Sequence, residues 1–118
     1  NRIEVMGNLG KDPELRYLPN QTPVSSISLA YTEKWRDKAS NEQRERIEWF
    51  NVVLYGKQAE TVCRYMKKGD CLWVAGKLQS RRYEHHGVEK TVYEIMAGEI
   101  QIIHTKNQNE TVSGLEYL

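Results

Sequence analysis

Aromatic and basic side chains are interleaved along the chain, and this pattern is typical of surfaces that bind nucleic acid. Trp35 lies between two basic residues, and Tyr83 directly follows Arg81 and Arg82. An exposed ring can stack on any base, while a lysine or arginine beside it neutralises a phosphate. Because every base has a ring face and every nucleotide has a phosphate, such sites would bind a single strand without reading its sequence.

Basic residues are concentrated in part of the chain. The formal net charge is only +1, from 17 basic and 16 acidic residues. Between Lys57 and Arg82, seven basic residues face two acidic ones, which gives a local net charge of +5. A phosphate-binding surface is therefore expected there and around Trp35. The predicted phosphate-binding residues are Lys34, Arg36, Lys38, Lys57, Lys68, Lys77, Arg81 and Arg82.

Apolar residues that alternate with polar ones predict five strands. Residues 7–10 predict a turn after the first strand, and the prolines within residues 11–23 predict an irregular connection to the second. Ala97 and Gly98 predict a bulge or bend in the fifth strand. The predicted strands span residues 3–6, 26–31, 48–55, 71–82 and 91–104.

The highly charged segment 33–46 is predicted to be a long hairpin. Its only large apolar residue is Trp35. A helix is the alternative, but a helix here would have almost no apolar stripe to bury. The hairpin would project from the body of the protein and expose Trp35.

The third predicted strand has two different faces. Phe50, Val52 and Leu54 can line a core, whereas Trp49 and Tyr55 point to the other side. These two rings are open to a ligand unless a loop or a subunit covers them, and the pattern alone favours neither alternative. The fourth strand repeats the alternation, with its inner face predicted at Leu72, Val74, Gly76 and Leu78.

Residues 57–66 predict a helix, because Ala59, Val62 and Met66 fall on one side. The residues 67–69, two lysines and a glycine, predict its C-terminal cap. The order is then three strands, a helix and two strands. This order is expected for a mainly all-β protein, a five-stranded Greek-key barrel of the OB-fold type, which often binds oligonucleotides.

The domain is predicted to span residues 1–104, and the polar, unpatterned residues 105–118 are predicted to form a flexible tail. No run approaches the roughly 20 apolar residues that a bilayer span requires. The first residues do not resemble a signal peptide. A cytoplasmic protein with no membrane partner is expected.

Catalytic and metal-binding patterns are not found. Cys63 and Cys71 fit neither a zinc ribbon nor a redox motif. His85 and His86 belong to a predicted turn and, as neighbours, would bind one ion only on a bent backbone. No metal, cofactor or catalytic residue is therefore predicted, and an enzyme is not expected. A protein-binding OB-fold adaptor is the alternative function, and it would not need exposed aromatic rings.

Several blocks of the sequence together carry a family resemblance: residues 5–17, 35–38, 48–49, 52–57 and 65–69. In this order and at this spacing, they resemble the bacterial single-stranded DNA-binding proteins. The resemblance implies a homotetramer that binds and protects single-stranded DNA in replication, recombination and repair. It also implies base stacking on Trp35, Trp49, Tyr55 and Tyr83, where the last two replace rings that are usually phenylalanine and tryptophan.

Two further positions and the end of the chain depart from the family pattern. Phe50 stands where a histidine often lies at a subunit contact, and Trp73 where a tyrosine often lies near a contact between dimers. The resemblance therefore implies that both residues belong to an oligomer interface. The resemblance would also imply an acidic C-terminal tip that recruits partner proteins. Residues 105–118 include only two acidic residues and no such tip, so partners recruited in this way are not expected.

Overall fold

The computed structural model describes residues 1–105, which form one β-sheet and one helix. Of the predicted flexible tail, residues 106–118 lie outside the described part, and Thr105 is buried. The elements are β1 (Ile3–Leu9), β2 (Arg16–Tyr17), β3 (Pro23–Arg36), β4 (Gln43–Tyr55), α1 (Lys57–Tyr65), β5 (Cys71–His85) and β6 (Val88–His104).

The sheet closes into a barrel through β1. The strand order is β1-β5-β6-β4-β3-β2, and β1 also pairs with β3, where Leu9 lies opposite Leu29. Five long strands therefore form the predicted barrel, and α1 packs on β3 and β4. The predicted turn at residues 7–10 is wrong as to its start. Gly7 instead lets the strands meet, because a Cβ there would lie 2.6 Å from the carbonyl oxygen of Ala30.

The core is apolar and lies inside the barrel. Val52 and Leu54 are fully buried as predicted, whereas Phe50 is half-buried and packs against the edge of the core. Leu78 lies on the predicted face, opposite the buried Ile95, but it is exposed, because β1 pairs with β5 only as far as Gly76. The core residues are Val5, Leu9, Ile27, Leu29, Val52, Leu54, Ala59, Val62, Met66, Leu72, Val74 and Ile95.

The helix ends earlier than the sequence indicated. Its last residue is Tyr65, and Met66 is extended and fully buried. Gly69 does have a left-handed backbone, with φ 92°, but in the next turn rather than at the helix cap. Its amide donates a hydrogen bond to the carbonyl of Leu9 at 2.8 Å. Gly69 therefore does not cap the helix as predicted. It connects the turn after the helix to β1 through this hydrogen bond.

Two ribbons extend from the barrel. The β3–β4 ribbon (residues 31–49) confirms the predicted hairpin, and its pairing runs without interruption to Arg36 opposite Gln43. The β5–β6 ribbon (residues 77–91) turns at His86 and Gly87, which have φ of 52° and 77° as a two-residue hairpin turn requires. Strand β6 consequently begins three residues before the predicted start.

A bulge sets the path of the β5–β6 ribbon. Ala75 pairs with Glu99 and Gly76 pairs with Ala97, so Gly98 is the extra residue of β6. This confirms the predicted bulge. The strands are so close here that a Cβ on Gly76 would collide with the carbonyl oxygen of Met96. Bulges bend strands and increase their twist, which separates the ribbon from the barrel wall.

Candidate nucleic-acid interface

The outer face of β4 presents two aromatic rings. Trp49 is 59% exposed and Tyr55 is 43% exposed. They alternate along the strand with the buried core residues, so both lie on the face away from the core. Within this chain, the described residues leave these two rings open, whereas Val53, which lies between them on the same face, is only 6% exposed.

Trp49 is supported from beneath by a glycine. A Cβ on Gly10 would lie 2.6 Å from Cζ3 of the Trp49 ring, so the ring packs directly on the backbone. The Gly10 amide donates a hydrogen bond to the Ser28 carbonyl at 2.9 Å, which holds that backbone on β3. The ring therefore has one supported side while much of its surface meets solvent.

Tyr83 lies on the same face of the sheet as Trp49 and Tyr55. The register connects Asn51 of β4 to Glu94 of β6, and Glu94 to Gln79 of β5. Side chains of directly paired residues share a face, and Tyr83 is four residues beyond Gln79 on the same strand. Tyr83 is 41% exposed. Three of the four predicted rings therefore share one outer surface.

Trp35 is the exception. It pairs with Arg44, and strand alternation places it on the side of the β3–β4 ribbon opposite to Lys34, Arg36 and Trp49. The ring is 44% exposed. Lys34 and Arg36, the neighbours of Trp35 in sequence, therefore lie on the other side of the ribbon from the ring, whereas Arg44 lies on the same side as the ring.

All eight predicted phosphate-binding residues are exposed. Lys34 and Arg36 share the face of Trp49, and Lys57 begins α1 two residues after Tyr55. Arg36 also donates to the Asn41 carbonyl at 2.8 Å and so helps to close the ribbon turn. The remaining predicted cations lie in the ribbon turn, in the loop after α1 and on β5: Lys38, Lys68, Lys77, Arg81 and Arg82.

Arg81 is already engaged by a carboxylate. Its Nε and Nη2 each lie 3.2 Å from an oxygen of Glu94, a side chain that is only 14% exposed. The hydrogen bond to Glu94, with the attraction of its charge, raises the pKa of Arg81 above its usual value. The guanidinium carbon also lies 5.8 Å from the ring centre of Tyr83. In this structure Arg81 therefore links Glu94 to Tyr83.

Sequence reasoning missed one part of the surface, the two-residue strand β2. Arg16 and Tyr17 are both exposed and line a groove of about 690 Å³ with Tyr55 and Arg81. The signal was present, because a basic residue directly before a tyrosine also occurs at Arg82. The prolines on either side of the segment favour an irregular connection over a strand.

The two residues implied to form an oligomer interface are both half-buried. Trp73 lies on the outer face of β5 opposite Met6, a side chain that is 52% exposed. Phe50 lies at the margin of the core. Their role in assembly stays a prediction.

The described residues do not form a metal site. Within the described residues, no three His, Cys, Asp or Glu side chains converge as a metal site would require. Cys63 and Cys71 are free thiols, and burial raises the pKa of Cys71. Among these residues, no helix has the length and apolar character to cross a membrane.

Comparison with known proteins identifies the family. The profile of the Single-strand binding protein family matches residues 1–103. Single-stranded DNA-binding proteins of Neisseria meningitidis serogroup A (strain Z2491) and serogroup B (strain MC58) are each 42% identical over 111 residues. The matched region is 92% of this chain but only 63% of each relative, so the chain spans less than two thirds of their length.

A solved structure of Plasmodium falciparum SSB in complex with ssDNA is also similar. Its TM-score is 0.76 at 29% sequence identity, and the match covers 87% of this chain and 94% of the other. This similarity confirms the predicted OB-fold barrel. Together with the family profile, it shows that this chain belongs to the Single-strand binding protein family.

Proposed function

We propose that this chain binds single-stranded DNA without sequence preference, by stacking bases on exposed rings while basic side chains hold the phosphates. The observation that carries this proposal is the common outer face of Trp49, Tyr55 and Tyr83, bordered by cations. Membership of the Single-strand binding protein family supports it. The proposed function is binding, with no catalytic step.

The rings are spaced for separate bases. Trp49 and Tyr55 are six residues apart on one strand, a distance of roughly 20 Å along the sheet. Stacking on such a ring stabilises a complex by about 1 to 3 kcal/mol per base. Four rings, including Trp35, would together contribute about 4 to 12 kcal/mol, a range that includes the roughly 8 kcal/mol of a micromolar complex, and phosphate contacts add to it.

The phosphate path is proposed to follow the predicted cations, of which Lys34, Arg36 and Lys57 lie nearest to the shared face. The OB-fold domain is proposed to span residues 1–104. We further propose a homotetramer, with Phe50 and Trp73 at its contacts, that protects single strands in replication, recombination and repair. A bacterial cytoplasmic location fits this ligand.

A fluorescence titration tests the proposed function. Oligothymidine is added to the protein at several salt concentrations while tryptophan emission is recorded. We expect strong quenching and a log affinity that falls linearly with log salt, because bound cations release counterions. A blunt DNA duplex of the same length is the matched control and should quench far less. Unchanged emission with oligothymidine would instead indicate a protein-binding adaptor.

A further inference from the structure

The groove at β2 combines features of a nucleotide site that the sequence analysis did not assign. It lies on the outer face of the sheet, and its volume of about 690 Å³ is within the range of ligand pockets. The residues at its margin come from β2 and β4 on one hand and from β5 and β6 on the other. They are Arg16, Tyr17, Tyr55, Gln79, Arg81 and Glu94.

The two arginines of the groove differ in their partners. Arg81 is held by both oxygens of Glu94. Arg16 is exposed and forms no ion pair with any residue in the described range 1–105. A guanidinium without a carboxylate partner is available to a phosphate, whereas Arg81 would first have to exchange Glu94 for it. Among residues 1–105, Arg16 is therefore the groove arginine that has no carboxylate partner.

Arg16 is also placed at the right distance from a predicted base platform. It pairs with Val24 of β3, and Val24 pairs with Tyr55 of β4, so Arg16 and Tyr55 share a face two strands apart. Two strand spacings are about 9.5 Å. Long side chains can bridge this distance through one bound nucleotide, with its base at the ring and its phosphate at the guanidinium.

A second ring, Tyr17, follows Arg16 on β2. Alternation directs the two side chains to opposite sides of this strand, but β2 is the edge of the sheet and both residues line the groove. Tyr17 is 59% exposed, which is more than Tyr55, and both line the same groove. The floor between them includes Ser26 and Val53, which offer a hydroxyl and an apolar surface. Two exposed rings and an unpaired cation around one groove are the components of a stacking site for single strands.

We propose that this groove is a further subsite on the single-stranded DNA path, in which Tyr17 stacks the base next to the one on Tyr55 and Arg16 binds the phosphate between them. This inference rests on the proposed function and adds β2 to the binding surface. It extends the path from the shared ring face to the edge of the sheet, where β2 is the last strand.

The test compares two double variants, Arg16→Gln with Tyr17→Ala in the groove, and Arg64→Gln with Tyr65→Ala on α1. The control pair has the same chemistry, because Tyr65 is 57% exposed and Arg64 lies 5.5 Å from its ring centre, yet neither lines the groove. Affinity for oligothymidine is measured across a salt series, beside the wild-type protein and Trp49→Ala.

We expect the groove variant to bind about tenfold or more weakly, in keeping with one lost stacking contact. Its salt slope should fall by about 0.7, the value for one phosphate of a single strand. The control should match the wild-type protein. If the groove variant binds as tightly as the control while Trp49→Ala binds weakly, the groove is not a subsite. If the wild-type protein itself does not bind, the proposed function fails instead.

A conservative double variant separates the chemistry from damage to the fold. Arg16→Lys with Tyr17→Phe keeps the charge and the ring, so it should retain most of the affinity and the salt slope. Equal weakness of the conservative and the disruptive variant would overturn the inference. The molecular mass of each variant is measured on the same samples, and a change in mass that accompanies the loss of binding would identify the groove as a subunit contact and also overturn it.

Discussion

In the barrel, side chains are held by packing, whereas in the two ribbons they are held by strand pairing and short polar contacts. Leu54 and Leu72 are fully buried. By contrast, no residue of the β3–β4 ribbon or of the β5–β6 ribbon is buried, although both contain aromatic rings. The barrel therefore provides stability, and the ribbons provide surface.

This difference explains how rings can stay open to a ligand. A large ring in a short hairpin would normally be drawn into a core, but each ribbon continues a barrel strand and inherits its register. Trp49, where the ribbon meets the barrel, rests on Gly10. Tyr83, further out, has Arg81 beside it instead. The ring near the barrel is therefore supported by the backbone of Gly10, whereas the ring in the ribbon has the guanidinium of Arg81 beside it.

The largest effect is expected from a change in the barrel. Leu54→Ala should lower the free energy of unfolding by about 2 to 5 kcal/mol, because it leaves a cavity in a closed core. Trp35→Ala in the ribbon is the matched control and should change it by less than about 0.5 kcal/mol. Urea unfolding measures both. Similar losses in the two variants would contradict the division between barrel and ribbons.

A smaller effect, on binding alone, is expected at the junction. Trp49→Ala should weaken binding of single-stranded DNA by about 1 to 3 kcal/mol, because one stacking platform is lost. The loss should be similar for oligomers of dT, dC and dA, since a ring does not read base edges. Fluorescence anisotropy of labelled oligomers gives the three affinities. A loss confined to one base would show that Trp49 reads sequence.

The support beneath that ring can be tested separately. Gly10→Ala should shift Trp49 and weaken binding by less than the removal of the ring, up to about 1 kcal/mol, because the new Cβ would lie 2.6 Å from the ring. Gly98→Ala is the control, since its Cβ would meet nothing closer than 3.6 Å. The emission maximum of the unbound protein should change for Gly10→Ala only. Identical spectra for both variants would exclude the contact.

The smallest effect is expected at the ion pair that joins Arg81 of the β5–β6 ribbon to Glu94 of β6. Glu94→Gln removes the charge that holds Arg81, so binding should become a few-fold tighter and the salt slope steeper by up to about 0.7. A salt series with oligothymidine measures both quantities, and Glu99→Gln serves as the control on the same strand. Weaker binding by Glu94→Gln would show that the ion pair is needed to position Tyr83.

The barrel could be predicted because burial imposes a regular alternation. The order of strands and helix along the chain followed from such apolar patterns. The bulge followed from the glycine at position 98. The turn predicted to start at Gly7 was wrong because a glycine serves equally for a turn and for close strand contact. The predicted burial of Leu78 was wrong, because alternation along β5 does not reveal where its pairing with β1 ends.

The candidate site was less predictable because it depends on partners distant in sequence. The ring positions were predicted, and alternation within the predicted hairpin already implies that Trp35 and Lys34 lie on opposite sides, but the strand that each ring packs beside could not be predicted. The ion pair of Arg81 with Glu94 joins residues 13 apart across a hairpin. Arg16 and Tyr17 were missed because a strand of two residues is too short to show alternation.

The most direct test of the account is a crystal structure of this protein with oligothymidine. The account predicts thymine bases stacked on Trp49, Tyr55 and Tyr83 along one face of the sheet, with phosphates beside the neighbouring cations. A DNA path that avoids these three rings, or a subunit that covers them while DNA is bound elsewhere, would contradict the central claim.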